Sequence, residues 1–441
     1  MDYIRNDVLQ LETCNLKLMK KIIIKLLHSL TRAILKKYKP TVIAITGSVG
    51  KTATKEAVFA VLATKYRVRK NAGNYNTEIG LPLTVLGSTP PGRSPFKWFG
   101  VFGDGLKLLL SKQDYPEMLV LEMGADKPGD IGELLTVVSP KVGIITAIAP
   151  THTEQFGSLS GVAKEKGKLF KAIDKDGWII VNQDDPEVVS LAENCKAQII
   201  TYGLETEKEV TVRAAEVSPS RSQDVSTGIA GVSFKLITEG TVTPVLLRGV
   251  VGSHQVYPAL AATGVAQIFD VHMVGVAEGL GRMAPLPGRM RILPGIKRTV
   301  IIDDTYNASP VAALAALRAI VELDGDSRKF AVLGDMLELG SLSEEEHIKI
   351  GVAVAKQKFD VLITVGERSR DIARAARKAG MSEDYIFEFG KTEEAGLFVQ
   401  NRIEPGDIVL IKGSRGMHME KVVKEIMAEP ERASELLVSS H

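Results

Sequence analysis

Cysteine is almost absent. The 441-residue chain has two, Cys14 and Cys195, too few for a disulfide framework or a four-thiolate metal site. Aromatic residues make up 5%, which leaves little for base-stacking platforms. Neither sign of charge prevails: Lys+Arg number 55 and Asp+Glu 53, a net +2. Such a chain is not built to coat a polyanion, and no nucleic-acid partner is expected. No apolar run reaches the ~18 residues of a membrane span, and no apolar core with a small-residue cleavage site opens the chain. A cytoplasmic location is therefore expected, and nothing implies an oligomer. What is present is globular composition, 45% hydrophobic and 24% charged, at a length that corresponds to about two or three domains.

Acid is also missing locally, with no Asp or Glu from Thr13 to Lys55. At 100° per residue, Lys17, Lys21, Lys25, Arg32 and Lys36 gather on one face, and Met19, Ile23, Leu26, Leu27, Leu30 and Ile34 on the other. Residues 1–40 read as a basic amphipathic helix ended by Pro40. Two uses are open: docking on the next domain, or peripheral contact of residues 17–37 with the anionic inner face of a membrane. On the second, deletion of residues 1–39 spares the chemistry of the remainder.

Thr41–Thr46 is a short β-branched run, hence a buried strand. Gly47-Ser48-Val49-Gly50-Lys51-Thr52 follows, then a helical segment through Ala63. Strand, Gly-rich turn, Lys-Thr and helix form the layout of a phosphate-binding loop. The glycines let backbone N–H groups turn towards phosphate oxygens, and the helix N-terminus adds positive charge. Lys51 would reach the β/γ-phosphates of ATP, and the Thr52 hydroxyl would hold Mg²⁺. The first glycine of the eight-residue pattern is replaced by Ile45.

Further strand-like runs end in polar residues. Met118–Leu121 runs into Glu122, Val142–Thr146 precedes a loop with His152, and Trp178–Val181 leads to Asn182–Pro186. Ligands of open parallel sheets sit at the carboxyl ends of strands. Glu122 and His152 therefore share an edge with Lys51 and are suited to a divalent metal. Segments within 208–250 alternate between turns and read as antiparallel strands flanking the sheet. Pro285–Arg289 is a stiff connector. After it, β/α alternation returns without a dinucleotide fingerprint, and its first strand ends in Asp303-Asp304-Thr305-Tyr306-Asn307. The expected fold is α/β: a helix over 1–40, a P-loop domain over 41–286 with a mostly parallel sheet and an antiparallel flank, and a second doubly wound, Rossmann-like domain over 287–441.

These residues resemble the Mur ligase family, ATP-dependent amide-forming enzymes of peptidoglycan precursor synthesis. The matching segments are Ile45–Glu56, Gly73–Thr84, Leu121–Ala125, Phe156–Ser158, Ala163–Gly167, Pro287–Arg289, Asp303–Asn307, Val332–Gly340 and Lys412–Arg415. The likeness is greatest to the branch that adds D-alanyl-D-alanine to a UDP-N-acetylmuramoyl-peptide. The resemblance implies catalytic roles for Lys51, His152, Lys166 and Arg289, with Lys166 carbamylated. It implies Mg²⁺ ligation by Thr52, Glu122 and His152, and nucleotide contacts from the loop 47–52, Asp304 and Asn307. Asn74 and Asn76 are expected to face the acceptor, and Arg415 the incoming amine. The resemblance further implies an acyl phosphate made at the expense of ATP and attacked by an amine, with the two domains rotating about the connector.

The chain departs from the family pattern twice. Members carry a small domain before the loop that holds the UDP part of the substrate, where this chain has residues 1–40. The family's His-Asn-x-x-Asn is here His254-Gln255-Val256-Tyr257-Pro258. Two alternatives stay open: a Mur-like ligase for another, membrane-associated or poly-amino-acid carboxylate, and a nucleotide-binding protein without turnover.

Overall fold

The computed structural model describes residues 2–439 other than 74, 90, 91, 93, 94, 151, 152, 206, 224 and 324, and only the backbone of 2–19, 95 and 153. Two expected site residues, Asn74 and His152, lie outside the described residues.

Two sheets organise the chain. The first contains β1 (Thr41–Thr46), β2 (Val68–Lys70), β3 (Met118–Glu122), β4 (Val142–Ile145), β5 (Trp178–Asn182), β6 (Gln198–Gly203), β7 (Val212–Arg221), β8 (Ile229–Thr238) and β9 (Thr241–Arg248). Their spatial order is β2-β3-β1-β4-β5-β6-β7-β8-β9. Pairing is parallel from β2 to β7 and antiparallel between β7, β8 and β9. The second contains β10 (Arg291–Pro294), β11 (Val300–Asp304), β12 (Lys329–Gly334), β13 (Val361–Val365), β14 (Ile386–Phe389) and β15 (Ile408–Lys412). Its order is β10-β11-β15-β12-β13-β14, parallel but for β10.

The central parallel strands of each sheet are buried on both faces, which is why they are near-continuous apolar runs. In β1, Val42 and Ala44 enter one core while Ile43 and Ile45 enter the other, as the period of two requires. Four helices flank the first sheet near its switch point: α1 (Asp2–Tyr38), α2 (Lys51–Leu62), α3 (Gly80–Leu86) and α4 (Pro95–Leu110). On one face lie α1, α3 and α4, contributing Leu27, Ile34, Leu81, Leu83 and Val101. On the other lie α2 and the helix Val256–Ile268, with Val58, Val61, Leu260 and Val265.

The first helix differs from its expected form. Leu27 and Ile34 are fully buried, but Leu26, expected on the same face, is 53% exposed. The physical reason is that α3 and α4 cover only the edge of α1 that carries Leu27 and Ile34, and Leu26 stands 100° away. Tyr38 stacks on Tyr115 at 4.4 Å. Lys37 Nζ donates to the carbonyls of Leu108, Leu109 and Ser111 at 2.8, 2.9 and 2.7 Å, a cation on the C-terminal carbonyls of α4. Removal of residues 1–39 would uncover a core, so that segment is not a dispensable appendage. Among the described residues, no helix is long and apolar enough to cross a membrane.

Candidate active site

Strand order reverses at β1, which sits between β3 and β4. A crevice at such a switch point lies at the carboxyl ends of the strands. The Gly47–Thr52 loop emerges there and is braced on the segment after β4. Ser48 N donates to Ala147 O at 2.8 Å, Ser48 Oγ to Ala149 O at 2.9 Å, and Thr146 Oγ1 to Val49 O. At Gly47, φ is +146°, and a Cβ would stand 2.0 Å from Thr146 Oγ1, so this close approach requires glycine. Gly50, at φ +82°, is the N-cap of α2.

Lys51 Nζ donates to Gly47 O at 2.8 Å and to Ser48 O at 3.3 Å. Burial lowers its pKa; Glu122 opposes this, Arg289 adds to it and Asp126 opposes it. Arg289 arrives from the connector, its Nη2 3.3 Å from Thr52 Oγ1 and its guanidinium over the Tyr306 ring at 4.0 Å. Two cations thus converge on the N-terminus of α2, where Asn76 Nδ2 donates to Glu122 Oε1 at 3.1 Å. Glu122 is buried, and its Oε2 has no hydrogen-bond partner among the described residues, with Lys55 Nζ 3.6 Å away. An orphaned buried carboxylate oxygen and a threonine hydroxyl on the same cleft wall fit Mg²⁺, which takes oxygen ligands and keeps several waters. Among the described residues no three His, Cys, Asp or Glu converge, so the candidate ligands there are Thr52 and Glu122.

The connector is held by the second sheet. Gly288 N donates to Asp303 Oδ2 at 2.9 Å, and Met290 N to Asp304 Oδ1 at 3.1 Å. Burial pushes Asp303 up to about 6. Asp304 is also paired with Lys412 Nζ, which donates to Asn307 O at 3.0 Å. Loop, connector and second domain enclose a cleft of ≈ 1420 Å³ whose walls include Lys51, Thr52, Asn76, Glu122, Arg289 and Asp304. Asn307 and Lys412 line it as well.

Other expected residues fall differently. Arg415 is not on the cleft wall; its guanidinium is turned to the Ser439 carbonyl, and its N–H lies 3.4 Å from Asn307 Oδ1. Lys166, which sequence alone reads as part of a solvated run with Lys164 and Lys168, is buried at 2% exposure. Burial, helped by Lys51, lowers its pKa to about 7. His254, of the divergent motif, is held near 4 by burial and is neutral at pH 7.

Three features escaped the sequence analysis. Lys55 is fully buried beside Glu122; it follows Lys51 by four residues and so shares its helix face. Lys412 ends β15 and could have been found by the strand-end rule applied to Glu122. Asp184, after β5, accepts from Leu204 N at 2.6 Å, Glu205 N at 3.0 Å and Tyr257 Oη at 2.9 Å. Burial, then the Asp184 charge, raises the Tyr257 phenol above its ordinary range. Only the fold brings Tyr257 of the divergent motif to that acid.

Residues 104–266 match the Mur ligase middle domain and residues 288–415 the Mur ligase, glutamate ligase domain. The UDP-N-acetylmuramoyl-tripeptide--D-alanyl-D-alanine ligase of Bacillus subtilis is 32% identical over 406 residues, 92% of this chain and 79% of that protein. The chain belongs to the Mur ligase family. The Escherichia coli ligase of the same name is 29% identical, over 87% of this Mur ligase and 76% of its own length. The MurF ligase of Thermotoga maritima, solved in complex with ADP, superposes with a TM-score of 0.73 at 25% identity, covering 93% of this chain and 84% of that one. MurF from Acinetobacter baumannii gives 0.72 at 27%, over 90% and 79%.

Proposed function

We propose that this Mur ligase joins D-alanyl-D-alanine to a UDP-N-acetylmuramoyl-tripeptide in the cytoplasm, using ATP. The observation that carries the reading is the convergence of Lys51 and Arg289 over the N-terminus of α2, with Glu122 facing them. A carboxylate is a poor acyl donor. Its oxygen attacks the γ-phosphorus of ATP, ADP leaves, and an acyl phosphate results. The amine then attacks the acyl carbon and loses a proton, phosphate departs, and an amide forms. Lys51 and Arg289 spread positive charge over the transferring group, and the loop amides orient it. Thr52, Glu122 and His152 are the proposed holders of Mg²⁺, which when bound neutralises phosphate charge. Asp304 and Asn307 are assigned to the nucleotide, and Asn74 and Asn76 to the acceptor. Arg415 is assigned to the amine substrate if it exchanges Ser439 for that ligand. The assigned domains are 41–286 and 287–441, closing about the connector to keep water from the acyl phosphate.

The test is phosphate release with ATP, Mg²⁺ and UDP-N-acetylmuramoyl-tripeptide. The expected result is release that depends on D-alanyl-D-alanine. Release only with other carboxylates would support the second reading, a ligase for a different acceptor. One observation favours that reading: Lys20, Lys21 and Ile24 of α1 form part of the cleft wall.

We also assign carbamylation to Lys166. The neutral amine adds to CO₂, an N–C bond forms, a proton leaves to water, and a carboxylate end results. With a pKa of about 7, the amine is protonated below that pH and becomes nucleophilic as pH rises through it. A ¹³C-carbamate signal from labelled bicarbonate is therefore expected to grow from about pH 6 to about pH 8 and to vanish in Lys166→Ala. Short carboxylic acids should partly restore turnover to that variant; no rescue would count against the modification. Finally, residues 17–37 are assigned a peripheral contact with an anionic membrane face, supported by the exposed Lys25, Arg32 and Lys36.

A further inference from the structure

Helix α4 is apolar almost all round. Trp98, Val101, Phe102, Leu108 and Leu109 pack into the core of the first domain. The opposite side carries Phe96, Phe99, Leu106 and Leu110, between 52% and 86% exposed. With Gly103, also exposed, their spacing is three, four, three and four residues, a single stripe along the helix. A helix without a polar side is normally buried or in lipid, yet half of this surface is open.

Helix α1 packs alongside α4. Gly105 packs against Leu30, and Lys37 caps the carboxyl end of α4, so the two helices run side by side in the same direction. Ile22 and Leu26 share an 80° sector of α1 with Leu30 and Lys37, and both are about half exposed. Ile22 and Leu26 thus add two half-exposed apolar side chains on the neighbouring helix to the four of α4. Exposed cations border these side chains: Lys25, Arg32 and Lys36 on α1 and Lys107 on α4. Asp104 is the one acid on α4, and α1 has none between Thr13 and Tyr38.

We infer that the paired faces of α1 and α4 form a docking surface for an anionic lipid bilayer, with the α4 stripe entering the acyl boundary and the cations meeting headgroups. Apolar residues ringed by Lys and Arg are the chemistry of an interfacial helix. Charge distinguishes this occupant from a second copy of the chain. A two-fold interface would set the same cationic rim against itself, whereas an anionic surface complements it. The inference rests on the membrane contact assigned to residues 17–37 and supplies the apolar half that a charged helix lacks. The opposite side of α1 carries Lys20 and Ile24, which line the cleft, so α1 is the partition between cleft and bilayer.

The test uses the full chain and vesicles of phosphatidylcholine with or without phosphatidylglycerol. The expected result is co-sedimentation with the mixed vesicles, weakened by salt. Phe96→Ser/Phe99→Ser should lower the partition coefficient at least about tenfold while phosphate release without vesicles stays unchanged. No sedimentation of the parent would overturn the inference. So would a double-serine variant that binds like the parent while Lys25→Glu/Lys36→Glu does not, leaving only the charged contact of α1. A concentration-dependent dimer broken by the serine changes, with no vesicle binding, would overturn it in favour of self-association. None of these outcomes touches the ligase reading, which is measured separately by ATP-dependent phosphate release.

Discussion

Lys51→Ala is expected to lower ATP-dependent turnover by about 10³-fold, measured as phosphate release at saturating ATP. The magnitude follows from the position of the side chain. Its ammonium is half-buried near Arg289, at the N-terminus of α2, and in the structure it is held by the carbonyls of Gly47 and Ser48. Those two contacts are within reach of the same flexible stem, so the lysine can exchange them for phosphate oxygens without moving the loop. Stability should respond in the other direction. Burial disfavours this cation and the neighbouring Arg289 adds repulsion, so the variant should melt no lower than the parent. Loss of turnover accompanied by a large fall in melting temperature would mean that the lysine is structural. Turnover within a factor of about ten of the parent would remove it from the chemistry.

The second large effect is on stability. Asp304→Ala leaves the Lys412 ammonium buried without its carboxylate and takes the acceptor from Met290 N. Breaking one side of a buried pair costs about 3–5 kcal/mol, which for a domain of this size lowers the melting temperature by roughly 10 °C. Lys412 retains the Asn307 carbonyl at 3.0 Å, which places the expected cost towards the lower end. Asp304→Leu/Lys412→Met should recover most of the stability, because neither charge is then stranded. It should not recover ATP affinity, since Asp304 is assigned to the nucleotide and holds the connector that delivers Arg289. A single variant as stable as the parent would show that the pair is solvated in solution. Restored stability together with restored turnover would take Asp304 out of the site.

The places where sequence reasoning succeeded and failed have physical causes. The turn after β1 was legible because only glycine tolerates the backbone at Gly47 and Gly50, and a Lys-Thr pair opening a helix has few other uses. Glu122 was legible because a buried apolar strand that ends in an acid puts that acid at a sheet edge. Leu26 was misplaced because helical periodicity gives a face but not how much of it a neighbour covers; α3 and α4 are too narrow to cover all of it. Arg415 was assigned by motif position, and motif position says nothing about the Ser439 carbonyl that the chain's last turn brings to it. Lys166 shows the reverse case. Three alternating lysines in one segment look equally wet, and the one that is buried is chosen by the packing of its helix against the sheet.

Local information therefore determined the strands, the glycine-rich turn after β1, the connector and the basic character of the first helix. Backbone tolerance and side-chain period act within a few residues and are written directly in the chain. Long-range packing alone decided which lysine loses its water, which acid meets Tyr257, and that Arg289 reaches Thr52 across 237 positions. It also decided that a helix without a polar side keeps half of its surface open beside a cationic neighbour. Desolvation and juxtaposition are properties of surfaces that meet only once the chain is folded.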